Sequence, residues 1–129
     1  MIAVLAKDET EMVANNTVRL IAWLIVGSHA IGVAANGISL ALGDPRYAPG
    51  LWLTFLLLKL AGVIAGVLLL RGRRAGAWLF AASLIAGAGV ALAFTGPYPV
   101  YLWVAAGLML AAVVGGFAFV MRRNWSSLR

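Results

Sequence analysis

From Leu51 to Leu70 the chain reads LWLTFLLLKLAGVIAGVLLL, with a single charged side chain, Lys59. An α-helix rises about 1.5 Å per residue, so a run of this length crosses about 30 Å of hydrocarbon once. Three further runs share that character, at 18–42, 75–94 and 98–121. Four of them in 129 residues leave little chain for anything else, and 64% of the residues are hydrophobic against 11% charged. A water-soluble domain of this size could not hide so much apolar surface. The expected fold class is all-α integral membrane, an antiparallel four-transmembrane-helix bundle, because connections this short turn each helix back beside the one before it.

Gly43, Pro45, Pro49 and Gly50 interrupt the first connection, and Gly96, Pro97 and Pro99 the third. Residues 1–17 read as a polar cytoplasmic lead-in and 122–129 as a basic cytoplasmic tail. The lead-in is not a secretory signal, since its apolar run is short and Asp8 and Glu9 follow at once. Asn15, Asn16 and Thr17 match the glycosylation pattern, but a helix N-cap before the first span is the simpler expectation.

The charges set orientation. Arg71, Arg73 and Arg74 fill the second connection, and Arg122, Arg123 and Arg129 the tail, whereas the third connection has none. The positive-inside rule then places both termini in the cytoplasm of a bacterial-type inner membrane. Trp52, Tyr98, Tyr101 and Trp103 fall at the outer interface, Trp78 and Trp125 towards the inner one. The net charge of +6 therefore serves topology, and nucleic acid is not an expected partner. A short internal similarity points the same way: Leu-Trp at 51–52 recurs at 102–103, and the same offset aligns Arg71 with Arg122. Two like hairpins would be related by an axis along the membrane normal.

Lipid gives helices no hydrophobic reason to associate, so contacts depend on small residues that let backbones approach. Such seams are Ile25, His29, Gly32, Asn36 and Ser39 in the first span; Lys59, Gly62 and Gly66 in the second; Gly76, Phe80, Ser83 and Gly87 in the third; and Gly107, Ala111 and Gly115 in the fourth. Counted from the arginines, His29 and Lys59 both lie about 15–18 Å from the inner edge, near mid-membrane.

An ammonium at that depth costs about 2.5–3.5 kcal/mol on insertion scales. Three readings account for Lys59: hydrogen bonds within the bundle to His29, Asn36 or free carbonyls; pairing with a carboxylate from another chain; or a bound anionic or carbonyl-bearing ligand. Lys59, His29 and Asn36 together form the candidate intramembrane polar cluster. His29, the one histidine, could ligate haem. Asp44 and Arg46 suit a turn with a local ion pair, although Asp44 would reach Lys59 if that loop dipped inward. Arg71, Arg73, Arg74, Arg122 and Arg123 are expected to anchor topology or bind lipid head groups.

No span contains an acid, there are no cysteines, and neither a phosphate-binding loop nor a catalytic triad can be assembled. The chain is not expected to be an enzyme alone, and nothing in it requires a cofactor. The stretch from Leu51 to Pro97, an apolar helix ending in LLL and arginines followed by an Ala/Gly-rich helix, resembles the second and third helices of small DoxX-like four-helix membrane proteins. That resemblance implies a partner of a membrane oxidoreductase. The leading expectation is an accessory or structural subunit of a larger membrane assembly, with other membrane subunits or further copies of itself as partners and lipids around it. A binding or transport module using Lys59 is the alternative, and a haem- or quinone-linked subunit using His29 the third.

Overall fold

The first three helices each stop where the chain supplies a glycine or a proline. The structure, a computed structural model, describes residues 1–94 and 96–129, with the backbone alone for 6–15. It contains α1 (Ile2–Ala41), α2 (Pro49–Leu70), α3 (Arg74–Phe94) and α4 (Val100–Arg123), then a 3-10 turn at Trp125–Ser127. No strand occurs among the described residues. Four segments are long and apolar enough to cross a membrane: Asn16–Ala41, Pro49–Leu70, Arg74–Phe94 and Val100–Arg123.

Two helix ends use the same device. After α1, Gly43 takes φ 65°, its N–H donates to Leu40 O, and the Asp44 N–H donates to Ser39 O at 3.0 Å. After α2, Gly72 takes φ 69°, its N–H donates to Leu69 O, and the Arg73 N–H donates to Leu68 O at 2.9 Å. Both are Schellman caps, in which a left-handed residue turns the chain and satisfies the last carbonyls. Pro49 opens α2 and Pro99 precedes α4, where a missing N–H costs nothing.

The expected N-cap at Asn15–Thr17 is corrected, because α1 is already helical from Ile2. Nothing between Ile2 and Thr17 is Gly or Pro, and Ala, Leu, Lys, Glu and Met favour helix, so no break is encoded there. Most of the polar lead-in falls on 6–15, whose side chains lie outside the described set.

α1 and α2 make the most extensive contact of any helix pair. A Cβ on Gly62 would overlap the His29 ring, one on Gly66 would meet Val26 Cγ2 and the Ala22 carbonyl, and one on Gly32 would meet Lys59 Cδ at 2.8 Å. The partners on α1 thus run backward from 32 to 22 as α2 advances from 59 to 66. Gly76 of α3 sits directly on the α2 backbone, since a Cβ there would lie 2.5 Å from the Ala65 carbonyl.

α4 joins differently. Its contacts with α3 are few, and Met121 is its one buried residue. Phe117 meets Phe80 with ring centroids 4.8 Å apart, and Trp125 meets Trp78 edge-on at 6.2 Å. The buried cluster of Val18, Ala22, Ile25, Ala65, Leu69, Ala77, Phe80, Met121 and Leu128 lies at the end that carries Arg71–Arg74 and Arg122–Arg123. The bundle is therefore closed at its arginine-rich end and open at the other. The two hairpins are packed unlike each other, whatever the similarity around the two Leu-Trp pairs.

The expected seam of α4 also needs correction. Gly107, Ala111 and Gly115 are exposed, and a Cβ on either glycine would meet nothing within 4 Å. Phe117 and Met121 instead decide which face turns inward, since each fills far more space against Phe80 and the core than a glycine would.

Candidate functional site: a polar-floored cleft at mid-bundle

Where α4 stands away from α3, a cleft of about 560 Å³ opens. That lies within the range of small-molecule sites, about 300–1,000 Å³. Its lining includes His29 and Asn36 of α1, Lys59 of α2 and Ser83 of α3, so the structure brings the three sequence-derived polar residues to one space. Asn36 lies two helical turns from His29 on the same face. Towards the α1–α2 loop the wall becomes aromatic, with Tyr47, Trp52 and Phe55; opposite them it is aliphatic, with Ala88, Ala106, Met109 and Val113 among its residues.

Packing positions each polar group. The Lys59 stem lies across Gly32, where only the absence of a side chain leaves it room. The ammonium makes no hydrogen bond or ion pair among the described residues, and no carboxylate lines the cleft. Ser83 donates its hydroxyl proton to Phe80 O at 2.8 Å, which leaves its oxygen able to accept.

His29 is more constrained. A carbonyl only accepts, so the 2.9 Å contact of Nδ1 with Ile25 O places a proton on Nδ1. Nε2 lies against Gly62, and the ring meets Phe80 edge-on at 5.6 Å. Nδ1 is thus committed to the protein, while the ring borders the cleft. Among the described residues no group of three or more His, Asp or Glu side chains is placed to hold a metal.

The alternative pairing of Lys59 with Asp44 is not what the structure has. The Asp44 carboxylate receives Arg46 Nη2 at 2.6 Å, Arg46 Nε at 3.0 Å and the Arg46 backbone N–H at 3.0 Å. Those hydrogen bonds from Arg46 hold the Asp44 carboxyl below the usual carboxylate range and raise the Arg46 guanidinium. The turn is secured to α2 by Trp52, whose indole N–H donates to Asp44 O at 3.2 Å. Arg46 lies over the same indole, 5.6 Å from its centre. Tyr47 then packs edge-on against Trp52 and Phe55, at 5.2 and 6.1 Å.

Sequence reasoning did not identify this aromatic wall. Half of its signal was present, because Trp52 and Phe55 share the helical stripe of Lys59, Gly62 and Gly66 at spacings of three and four. Tyr47 left no such trace, as a loop fold carries it there. The arginines take varied positions: Arg71, Arg73, Arg74, Arg122 and Arg123 are all exposed, Arg74 lies over Trp125 at 5.0 Å, and Arg123 over Phe119 at 5.9 Å.

No family model, characterised protein or solved structure matches the chain. The functional reading therefore rests on the geometry of the cleft.

Proposed function

We propose that this chain is a multi-pass membrane protein, an antiparallel four-helix bundle, that binds an amphiphilic small molecule with an anionic or carbonyl-bearing head. One observation carries the reading: Lys59 lies on a mid-bundle cleft with no hydrogen-bond or ion-pair partner among the described residues. An ionisable group kept at that depth is costly unless something pairs with it, and a ligand head supplies the partner. The ammonium offers three donors, the Asn36 amide donates and accepts, and the Ser83 oxygen accepts. Aromatic and aliphatic walls accommodate the body of the molecule.

The membrane setting has its own support. Trp23, Ile31, Ile64, Leu108 and Phe119 all turn outward, as acyl chains would favour. All the arginines but Arg46 gather at one end of the bundle, and both termini are assigned to the cytoplasmic side of a bacterial-type inner membrane on that basis.

Native mass spectrometry of the protein extracted in mild detergent tests this. The intact chain should carry a reproducible small-molecule mass that Lys59→Leu loses while remaining folded. A wild-type spectrum with no such adduct, or one that Lys59→Leu leaves unchanged, refutes the role of Lys59.

A second reading has its own observation. The exposed Gly107, Ala111 and Gly115 form a small-residue face suited to close approach by another helix, as expected of a subunit in a larger membrane assembly. Substituting Gly107 and Gly115 with Leu should then dissociate the chain from its partners without lowering its thermal midpoint. Unchanged association removes this reading.

A further inference from the structure

A second hollow, of about 400 Å³, lies between α3 and α4 at the closed end of the bundle and shares no residue with the Lys59 cleft. Ala81 and Ala118 line its apolar part, while Trp78, Trp125 and Arg122 line the end nearest the chain's arginines. Its surroundings are fixed by a backbone clasp: the Arg129 N–H donates to Gly72 O at 2.6 Å, and the Arg74 N–H donates to Arg129 O at 2.9 Å. The clasp draws the tail onto the α2–α3 loop. There Arg74 lies over the Trp125 ring at 5.0 Å and donates from Nη2 to Trp125 O at 3.2 Å. Arg74 is thereby held on the Trp125 indole that lines the hollow, and Arg122 lines the hollow itself.

Among the described residues no carboxylate side chain pairs with the arginines of this region. After Asp44 the sequence contains no Asp or Glu, yet it places arginines at 71, 73, 74, 122, 123 and 129. An apolar groove between two membrane-length helices, lined at one end by Trp78, Trp125 and Arg122 and with Arg74 stacked on Trp125, matches a ligand having a long hydrocarbon chain below a negative head. Tryptophan rings favour the depth at which acyl chains give way to head groups, and guanidinium forks suit phosphate oxygens.

We infer that this groove is a binding site for one anionic glycerophospholipid, with an acyl chain between α3 and α4 and the phosphate held by Arg74 and Arg122. The lipid fills the gap left by the sparse α3–α4 contact and fastens α4 to the rest of the bundle at its closed end.

The test uses the full chain, delipidated in detergent, with phosphatidylglycerol or phosphatidylcholine added and retention read by native mass spectrometry. Phosphatidylglycerol should be retained in preference to phosphatidylcholine. Arg74→Gln and Arg122→Gln should each lower its retention by about fivefold, the scale of one arginine at a membrane surface. Arg71→Gln and Arg73→Gln should each lower it less. Ala118→Phe, which keeps every arginine and fills the groove, should also lower it, with unchanged helical circular dichroism marking each variant as folded. Equal retention of the two lipids overturns the proposal. So does an equal effect of Arg71→Gln and Arg73→Gln, which would mean diffuse surface charge, or full retention in folded Ala118→Phe. Displacement of phosphatidylglycerol by inorganic phosphate alone would assign the site to the free anion and overturn the lipid as occupant.

Discussion

The α1–α2 pair and the α3–α4 pair are built from the same residue types and pack in opposite ways. Between α1 and α2, glycines at 32, 62 and 66 receive Lys59, His29 and Val26, so the helices interlock through side chains seated on bare backbone. Between α3 and α4 contact depends on two aromatic pairs, Phe80–Phe117 and Trp78–Trp125, and the rest of the facing surface encloses space. Glycine therefore means close approach only where a side chain or, as at Gly76, a backbone lies directly opposite. In α1–α2 that condition is met; on the outer face of α4 it is not. The closed pair carries Lys59, His29 and Asn36, and the open pair supplies room for the proposed ligand.

Phe80 belongs to both regions, touching His29 on one side and Phe117 on the other. Phe80→Ala should therefore have the largest effect, a loss of about 3–5 kcal/mol read from thermal unfolding in detergent. A negligible loss would mean that the two halves are not joined through this ring. Gly62→Ala comes next, at about 1–3 kcal/mol from overpacking against His29, whereas Gly107→Ala should change stability by no more than about 0.5 kcal/mol. Equal losses would erase the contrast between a seated and an unseated glycine.

A chain without cysteine allows a test that leaves stability alone. A cysteine at Ala88, on the cleft, should react with a water-soluble maleimide in folded protein, and one at Ala65, fully buried between α2 and its neighbours, should not. Similar labelling at both positions would show that the closed pair is not closed. The smallest effect concerns the Asp44–Arg46 turn. Because the Asp44 carboxyl is held below its ordinary range, its stabilising contribution is complete above that range and lost as pH falls through the lowered value. A slight acid-side decline in thermal midpoint should disappear in Asp44→Asn, and persistence of the decline would place its origin elsewhere.

Much of this architecture was legible in the residues. Apolar length gave four helices, and Gly43 marked a stop because only glycine takes a left-handed turn without strain. The inward face of α4 was not legible. In lipid an outward helix face is as apolar as an inward one, so the polar–apolar contrast that orients a soluble helix is missing. The small seam at Gly107, Ala111 and Gly115 and the bulky Phe117–Met121 face were thus equally eligible, and tertiary fit chose the second. The site was legible as far as Lys59, His29 and Asn36, because charge and amide groups stand out in an apolar run. Tyr47 and the Arg129–Gly72–Arg74 clasp were hidden, the first because a loop delivers it, the second because backbone hydrogen bonds leave no mark on side-chain identity.

The seating of Lys59 on Gly32 and of His29 beside Gly62 has a consequence for biogenesis. Both halves of that interlock lie within the first 70 residues, so the hairpin is complete as soon as α2 has left the ribosome. Synthesis at about 5–20 residues per second gives it seconds in the bilayer before α4 emerges. In the proposed membrane setting, the helix that carries Lys59 is thus partnered from the moment it enters the bilayer. The cleft, by contrast, is created last, when α4 arrives and stops short of closing it.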